Sequence, residues 1–122
     1  MPSHIVVVVA EDEALLRMAT AEVLRDEGFE VMEAEHAEDA LRILQAKAAV
    51  VHVLFTDIHM PGTMDGLALA HHTAGRWPWV ALLITSGRAR LDSAVLPSKS
   101  RFLTKPYSHH RVVTHIRELA IS

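Results

Sequence analysis

The chain has 122 residues, half of them hydrophobic and 22% charged, so it can form one domain with a core and leaves little room for a second. This composition excludes a disordered chain. The net charge of −3, without any run rich in Lys or Arg, argues against direct binding to nucleic acid, which needs a basic surface. Because there are no cysteines, disulfides, thiolate zinc sites and cysteine nucleophiles are excluded.

The first apolar segment, residues 5–10, is too short to span a membrane and lacks the pattern of a signal peptide. We therefore expect a cytoplasmic location and no membrane insertion. The segment is a β-branched run without alternation, which predicts a strand buried on both faces. It ends at Glu11-Asp12-Glu13, where a helical pattern begins, with Gly28 as its C-terminal cap. The predicted buried stripe of this helix is Leu16, Ala19, Val23 and Leu24.

The middle of the chain continues the alternation of strands and helices. Residues 30–33 predict a short second strand, and residues 50–56 predict a third strand that ends at Asp57. Between them, apolar residues recur at helical spacing at Ala37, Ala40, Leu41, Leu44 and Ala48. After a loop at residues 60–63, Asp65 is predicted to cap the next helix. That helix is predicted to carry Leu67, Ala70, His71 and Ala74.

Two further strands are predicted near the C-terminus, at residues 80–85 and 101–104. Ser108 is predicted to cap the last helix. The buried stripe of that helix is predicted to be Val112, Ile116 and Leu119. The pattern is weakest over residues 86–100, where we expect a short or irregular fourth helix around residues 90–95.

This alternation predicts an α/β domain over residues 1–122, with a doubly wound, five-stranded parallel sheet. In such folds ligands bind beyond the carboxyl ends of the strands. The residues at those ends are Glu11, Asp12, Asp57, Thr85, Ser86 and Lys105. Carboxylates gathered there repel each other unless a cation holds them, and hard oxygen ligands suit Mg²⁺ better than zinc or copper. An aspartate in such a site can also act as a nucleophile and form an acyl phosphate.

Four segments resemble the motifs of the receiver domain of two-component response regulators, and the likeness covers essentially the whole chain. They are VAEDE at 9–13, DIHMPGTMDGL at 57–67, TSG at 85–87 and FLTKPY at 102–107. Each is a weak signal alone, but the four in order at strand ends are specific. The resemblance implies a single flavodoxin-like (βα)5 receiver domain that accepts a phosphoryl group with Mg²⁺ in phosphorelay signal transduction.

The resemblance implies roles for the matching acidic residues and lysine. Asp57 is similar to the phosphoacceptor, and Lys105 to the lysine that pairs with the phosphoryl oxygens. The implied Mg²⁺ ligands are Asp57, Asp12, Glu11 through a water molecule, and the backbone carbonyl of His59.

The implied switch consists of Thr85, which would move toward the phosphoryl group, and Phe102, which would turn inward after it. Pro106 suggests a cis bond after Lys105. The switched surface would lie near the fourth helix, the fifth strand and the fifth helix. Phosphorylation adds about −1.5 to −2 charge at pH 7, which would draw Thr85 and Lys105 inward.

The implied donor is a histidine kinase or a histidine phosphotransfer protein, and the implied output is a downstream protein target. The chain is expected to be a phosphoacceptor that assists its own phosphorylation and dephosphorylation, not an enzyme. The sequence leaves open whether the chain forms a homodimer and whether it is complete or part of a longer protein.

The sequence departs from the commonest pattern of the family at three places. Thr63 is an extra residue that lengthens the loop after Asp57, and His59 is bulkier than many residues at its position. Pro97 and the short segment before it suggest a degraded fourth helix, which would alter the output surface.

Two other functions remain alternatives at this point. A small phosphatase with an Asp nucleophile would need a general acid two residues after Asp57, where His59 stands. A phosphorylation-independent binding module on the same fold would bind its target equally well as an Asp57→Asn variant. A histidine zinc site is disfavoured, because the nine histidines include no i, i+4 pair with an adjacent Glu.

Overall fold

The computed structural model describes residues 4–87 and 96–121. The strands in these ranges are β1 (Val6–Ala10), β2 (Glu30–Ala34), β3 (Val53–Asp57), β4 (Ala81–Ser86) and β5 (Ser100–Thr104). The helices are α1 (Ala14–Asp26), α2 (Ala37–Lys47), α3 (Gly66–Arg76) and α4 (His109–Ile121). A short 3₁₀ turn, Ala48–Val50, follows α2 and takes the start of the segment that the sequence assigned to the third strand.

All five strands are parallel and form one sheet in the order β2-β1-β3-β4-β5. The predicted doubly wound α/β fold is therefore confirmed. The chain runs outward from β1 to β2 and then returns to β3 on the other side of β1. This reversal of strand order opens a crevice at the carboxyl ends of β1 and β3.

Two apolar layers cover the sheet. Val7 and Val9 of β1 pack in one layer with residues of α1 and α4, while Val8 and Ala10 pack in the other with residues of α2 and α3. Every residue of β1 and β3 is buried, which explains why the sequence of β1 shows no polar alternation. The edge strands β2 and β5 are buried less completely.

The predicted buried stripe of α1 was partly wrong. In α1 the buried residues are Arg17, Thr20, Ala21 and Leu24, whereas Ala19 is exposed and Leu16 and Val23 are half-buried. In α3 the buried residues are Gly66, Leu69, Ala70 and Thr73, whereas His71 is exposed. The error in α1 came from assigning buried positions by hydrophobicity, because the polar side chains of Arg17 and Thr20 occupy some of them.

The predicted helix ends agree better with the structure. The carboxylate of Asp65 accepts a hydrogen bond from the Ala68 amide at 2.8 Å, and the Ser108 hydroxyl accepts one from the Arg111 amide at 3.2 Å. Gly28 follows α1 with a φ of +94°, which a glycine adopts readily. The bond between Lys105 and Pro106 is cis, as the sequence suggested.

The expected short or irregular fourth helix around residues 90–95 lies outside the described residues. Within residues 4–87 and 96–121, no helix combines the length and apolar character needed to cross a bilayer.

Candidate functional site

Asp57 ends the central strand β3, and its side chain lies in the crevice with the residue only 6% exposed. Its register partner on β4 is Thr85, whose carbonyl accepts the amide of Ile58 at 2.9 Å. Oδ1 of Asp57 accepts the amide of His59 at 3.3 Å, and Oδ2 accepts the ammonium of Lys105 at 2.7 Å. The carboxylate is therefore oriented by donors on both of its oxygens.

Gly66 allows α3 to begin directly against the backbone of Asp57. A Cβ atom at this position would lie 1.7 Å from the carbonyl oxygen of Asp57, which is a severe overlap. The amide of Gly66 also donates to the carbonyl of Ile58 at 2.8 Å. The start of α3 is thus locked onto the end of β3, and that contact requires a glycine.

Lys105 follows the edge strand β5 and reaches back across the crevice. Its Nζ lies 3.0 Å from Oε1 of Glu11 as well as 2.7 Å from Oδ2 of Asp57. Burial alone would lower the pKa of Lys105, but the hydrogen bonds and charges of Asp57 and Glu11 outweigh it and raise the pKa above its usual value. Lys105 is therefore a fixed positive charge next to Asp57.

Glu11 directly follows β1 and is buried at 4% exposure. Oε1 accepts Lys105, and Oε2 accepts the amide of Glu13 at 3.0 Å. Burial raises the pKa of Glu11, and the negative charge of Asp57 adds to this rise, while the Glu13 amide and Lys105 oppose it. Ionisation of Glu11 in this buried position therefore costs free energy, which further positive charge nearby would offset.

Glu11, Asp12 and Asp57 can bring one oxygen each within 4.8 Å of one another. Asp12 is exposed, whereas the other two are buried. Three carboxylates and the single ammonium of Lys105 leave two uncompensated negative charges in this cluster, which suits a divalent cation. The donors are hard oxygens, which fit Mg²⁺, and no histidine among the described residues joins such a cluster.

The two predicted switch residues lie on adjacent strands beside the crevice. Thr85 is buried, and its hydroxyl donates to the Leu103 carbonyl of β5 at 2.5 Å, away from Asp57. Phe102, next to Leu103, is half-buried and packs against the layer that contains α2 and α3 residues. The hydroxyl of Thr85 is therefore bonded to the same segment of β5 that carries Phe102.

Comparison with known proteins shows what this arrangement is. The family model described as the response regulator receiver domain matches residues 7–117, which include all of these residues. The chain belongs to the response regulator receiver domain family.

Individual relatives agree with this receiver assignment. The chain is 35% identical over 119 residues to the transcriptional regulatory protein PdtaR of Mycobacterium tuberculosis, covering 95% of the chain and 56% of that protein. The response regulator receiver protein from Sinorhizobium medicae WSM419 superposes with a TM-score of 0.89 at 27% identity, covering 98% of this chain and 96% of that one. The response regulator TrrA from Thermotoga maritima, solved in complex with Mg²⁺-BeF, has the same fold, with a TM-score of 0.80 at 22% identity and coverage of 94% and 98%.

The length of the relatives differs from that of this receiver. The chain spans 24% of one of the first curated relatives it matches and 56% of another. Those proteins therefore contain more than a receiver domain.

The receiver site also contains residues that sequence analysis missed. Arg17 is nearly buried on α1 and donates to the backbone carbonyl of Glu11 at 3.0 Å and to Glu33 of β2 at 3.3 Å. Arg17, Thr20, Ala21 and Leu24 have the spacing of one helix face. That spacing was the available signal, but the polar character of Arg17 and Thr20 concealed it.

Tyr107 and Thr20 close the site from the side of α1 and α4. Burial raises the pKa of Tyr107, whose side chain is hydrogen-bonded to Thr20, and its ring meets the edge of Phe55 at 5.6 Å between centroids. A cavity of about 10 Å³, about the space of one water molecule, lies between these side chains, Asp57 and Thr85. The site therefore has a small enclosed space next to Asp57.

Proposed function

We propose that this receiver domain accepts a phosphoryl group on Asp57 from a phosphohistidine donor, with Mg²⁺ bound at the acidic cluster. The observation that carries the proposal is the placement of Asp57: a buried carboxylate within 2.7 Å of a lysine ammonium and within 4.8 Å of two other carboxylates. A buried aspartate at a merely structural strand end would not need two further acidic groups beside it. The proposed setting is the cytoplasm, as the composition led us to expect.

The transfer uses the Asp57 carboxylate as the nucleophile. An oxygen of Asp57 attacks phosphorus, the bond from phosphorus to the donor's imidazole nitrogen breaks, and the imidazole leaves with the electron pair. Lys105 moves from Oδ2 to a phosphoryl oxygen, which needs only a small displacement because the two groups are already in contact. The amide of His59, which donates to Oδ1, holds the carboxylate during the attack.

Mg²⁺ supplies charge neutralisation for the phosphoryl oxygens when it is bound. We assign Asp12, Asp57 and the backbone carbonyl of His59 as direct ligands. Glu11 is assigned to act through a water molecule, as its resemblance to the matching residue of other receiver domains implies. The Mg²⁺-BeF complex of TrrA supports this assignment by fold likeness.

The proposed output begins at Thr85. Its hydroxyl leaves the Leu103 carbonyl and donates to a phosphoryl oxygen, so the carbonyl of Leu103 loses its partner. The adjacent Phe102 is half-buried, and a change of its rotamer would follow the changed position of β5. The altered surface around β5 and α4 would then bind a downstream protein.

The proposed docking face for the phosphohistidine donor lies at the start of α1. Leu15 and Met18 are 80% and 56% exposed on α1, which begins two residues after Asp12. Leu16, which stands between them in the sequence, lines a groove of about 360 Å³ with Pro106, Tyr107, Gly87 and Lys105, whereas Leu15 and Met18 line a separate groove. An apolar rim around a charged centre suits a protein donor that must exclude water while it presents a histidine.

We also propose that the chain is a phosphoacceptor and not a true phosphatase. The groove beside the site is open and shallow in character, with no enclosed substrate pocket among the described residues near Asp57. The side chain of His59 is exposed, so it is not held in place as a general acid.

The decisive experiment is intact-mass analysis after incubation with acetyl phosphate, with and without Mg²⁺, for the wild type and Asp57→Asn. A single phosphoryl adduct that needs both Mg²⁺ and Asp57 is expected. If no adduct forms, beryllofluoride titration followed by NMR separates rapid hydrolysis from an inert site. Absence of both a phosphoryl adduct and beryllofluoride binding would overturn the proposal and favour a phosphorylation-independent binding module.

A further inference from the structure

The loop between β3 and α3, residues 58–65, is contacted by a carboxylate from a different helix. Glu38 lies in the first turn of α2. Its Oε2 accepts both the amide of Thr63 at 3.0 Å and the hydroxyl of Thr63 at 2.8 Å. Thr63 is the residue that lengthens this loop, so the additional residue has its own partner.

The contact between Glu38 and the loop is close. A Cβ atom on Gly62, whose φ is +115°, would lie 2.9 Å from Oε1 and 3.0 Å from Oε2 of Glu38. The pKa of Glu38 is lowered, first by the hydrogen bond from the Thr63 side chain and further by backbone amides that include that of Met64. Several donors of the loop therefore converge on one carboxylate.

The other oxygen of Glu38 faces an imidazole. Nδ1 of His36 is buried, has no hydrogen-bond partner among the described residues and lies 3.5 Å from Oε1 of Glu38. The carboxylate is thus bounded by the loop on one side and by His36 on the other, which limits its rotation.

The loop so held carries groups of the phosphoacceptor site. The amide of His59 donates to Asp57, and Met60 is buried at 8% exposure. The two ends of the loop are joined, because the Gly66 amide donates to the Ile58 carbonyl. The hydrogen bond between Gly66 and Ile58 does not restrain the middle of the loop. Glu38 contacts that part at Thr63, four residues after His59.

We propose that Glu38 is a positioning residue of the receiver site, which clamps the loop through Thr63 and thereby fixes the backbone of His59 beside Asp57. The clamp acts on the metal site through the backbone and touches neither the phosphoryl group nor the metal. Its effect on Mg²⁺ binding rests on the proposed function, whereas its effect on the backbone of the loop, measured by hydrogen exchange, does not.

The test compares Glu38→Ala and Thr63→Val with two matched controls, in unphosphorylated protein. Asp39→Ala changes the neighbouring acidic residue in the same helical turn, and Thr63→Ser keeps the hydroxyl. Mg²⁺ affinity is measured by NMR titration, and hydrogen exchange is measured at the amides of residues 59–64. We expect both test variants to bind Mg²⁺ about tenfold more weakly and to exchange faster, as for loss of a group that orients a metal ligand.

The controls are expected to bind Mg²⁺ within about twofold of the wild type, the range of an ordinary surface substitution. The double variant Glu38→Ala/Thr63→Val is expected to bind Mg²⁺ no more weakly than Glu38→Ala, because the hydroxyl bond that Thr63→Val removes is already lost without Glu38. Beryllofluoride binding, measured on the same samples, tests the phosphoacceptor chemistry separately.

Two results would overturn the clamp. In the first, Glu38→Ala leaves Mg²⁺ affinity and hydrogen exchange of the loop at wild-type values. In the second, Asp39→Ala reproduces the full effect of Glu38→Ala, which would show that Glu38 only stabilises the N-terminus of α2. If the wild type binds Mg²⁺ but neither phosphoryl group nor beryllofluoride, the proposed function fails while these comparisons still decide the clamp.

Discussion

Nζ of Lys105 lies 2.7 Å from Oδ2 of Asp57, so the positive charge that faces the phosphoacceptor is already in place. The same ammonium lies 3.0 Å from Oε1 of Glu11, and it therefore bridges the carboxylate that follows β1 and the carboxylate that ends β3. A divalent cation in the acidic cluster would share these carboxylates with Lys105. The divalent cation and the Lys105 ammonium should thus compete for these carboxylates. Either one should also stabilise the site when the other is absent.

Replacing Lys105 with methionine tests this relationship. Without Mg²⁺, Lys105→Met should be less stable by about 1–3 kcal/mol, because two buried carboxylates lose a charged partner. Mg²⁺ should bind more tightly than to the wild type and restore stability, while formation of the Asp57 adduct should slow at least about tenfold, a barrier increase of about 1.4 kcal/mol. Urea unfolding with and without Mg²⁺ measures the first effects, and Lys47→Met at the exposed end of α2 is the control. Equal Mg²⁺ affinity in Lys105→Met and the wild type would contradict the prediction.

Glu11 should give the metal-free protein a specific pH dependence. Burial raises the pKa of Glu11 above its ordinary value of 4.5, so the folded chain binds this proton more tightly than the unfolded chain. Its contribution to stability is therefore greatest below pH 4.5 and is lost as the pH rises through the raised pKa. Glu11→Gln should flatten this part of the stability profile between pH 4.5 and 7, measured by urea unfolding without Mg²⁺.

The neighbouring variant Glu13→Gln is the control for that measurement, because the side chain of Glu13 is exposed. It should keep the wild-type slope. A Glu11→Gln profile parallel to the wild type would show that Glu11 is not the group responsible.

Two glycines of α3 should respond oppositely to alanine. Gly66→Ala places a Cβ 1.7 Å from the Asp57 carbonyl and should destabilise the protein by about 1–3 kcal/mol. It should also shift β3 against α3 and slow adduct formation at Asp57. Gly75→Ala meets no atom within 4 Å and should stabilise the helix by about 0.5–1 kcal/mol. Thermal unfolding of both variants measures their stability, and a similar loss of stability in the two would contradict the close contact between Gly66 and Asp57.

Arg17 should matter more than Arg25, although both arginines pair with Glu33. Arg17→Met leaves the buried carbonyl of Glu11 without its donor and should cost about 1–3 kcal/mol. Arg25 is half-exposed, so Arg25→Met should cost less than about 1 kcal/mol. Mg²⁺ titration of the two variants should show weaker binding for Arg17→Met alone, since only Arg17 contacts the loop that carries Glu11 and Asp12.

Much of the architecture could be predicted from the chain, because the relevant signals are local. The buried run of β1 is uninterrupted by polar residues, and Asp65 and Ser108 are strong helix caps. The strand ends are marked by Glu11, Asp57 and Lys105, which are poor strand residues. Once the strands are parallel, these ends must meet at one edge of the sheet.

The errors occurred where polar groups are buried with partners. Nothing adjacent to Arg17 in the sequence shows that the carbonyl of Glu11, just after β1, and a carboxylate on β2 will accept hydrogen bonds from its guanidinium. Glu38 and Thr63 are 25 residues apart, so their hydrogen bonds depend on how α2 and the loop pack. The direction of the Thr85 hydroxyl, toward Leu103 and not toward Asp57, is also set by tertiary packing.

The strand order gives the parts of the site unequal resistance to local opening. Asp57 belongs to β3, which is paired on both sides, while Lys105 follows β5, which lies at the edge of the sheet. Sub-global fluctuations that release an edge strand cost less free energy than global unfolding. The lysine should therefore detach from the carboxylate in excursions that leave the acceptor strand intact, and native-state hydrogen exchange should be faster along β5 than along β3. On heating, the ion pair between Lys105 and Asp57 should be lost before the sheet itself unfolds.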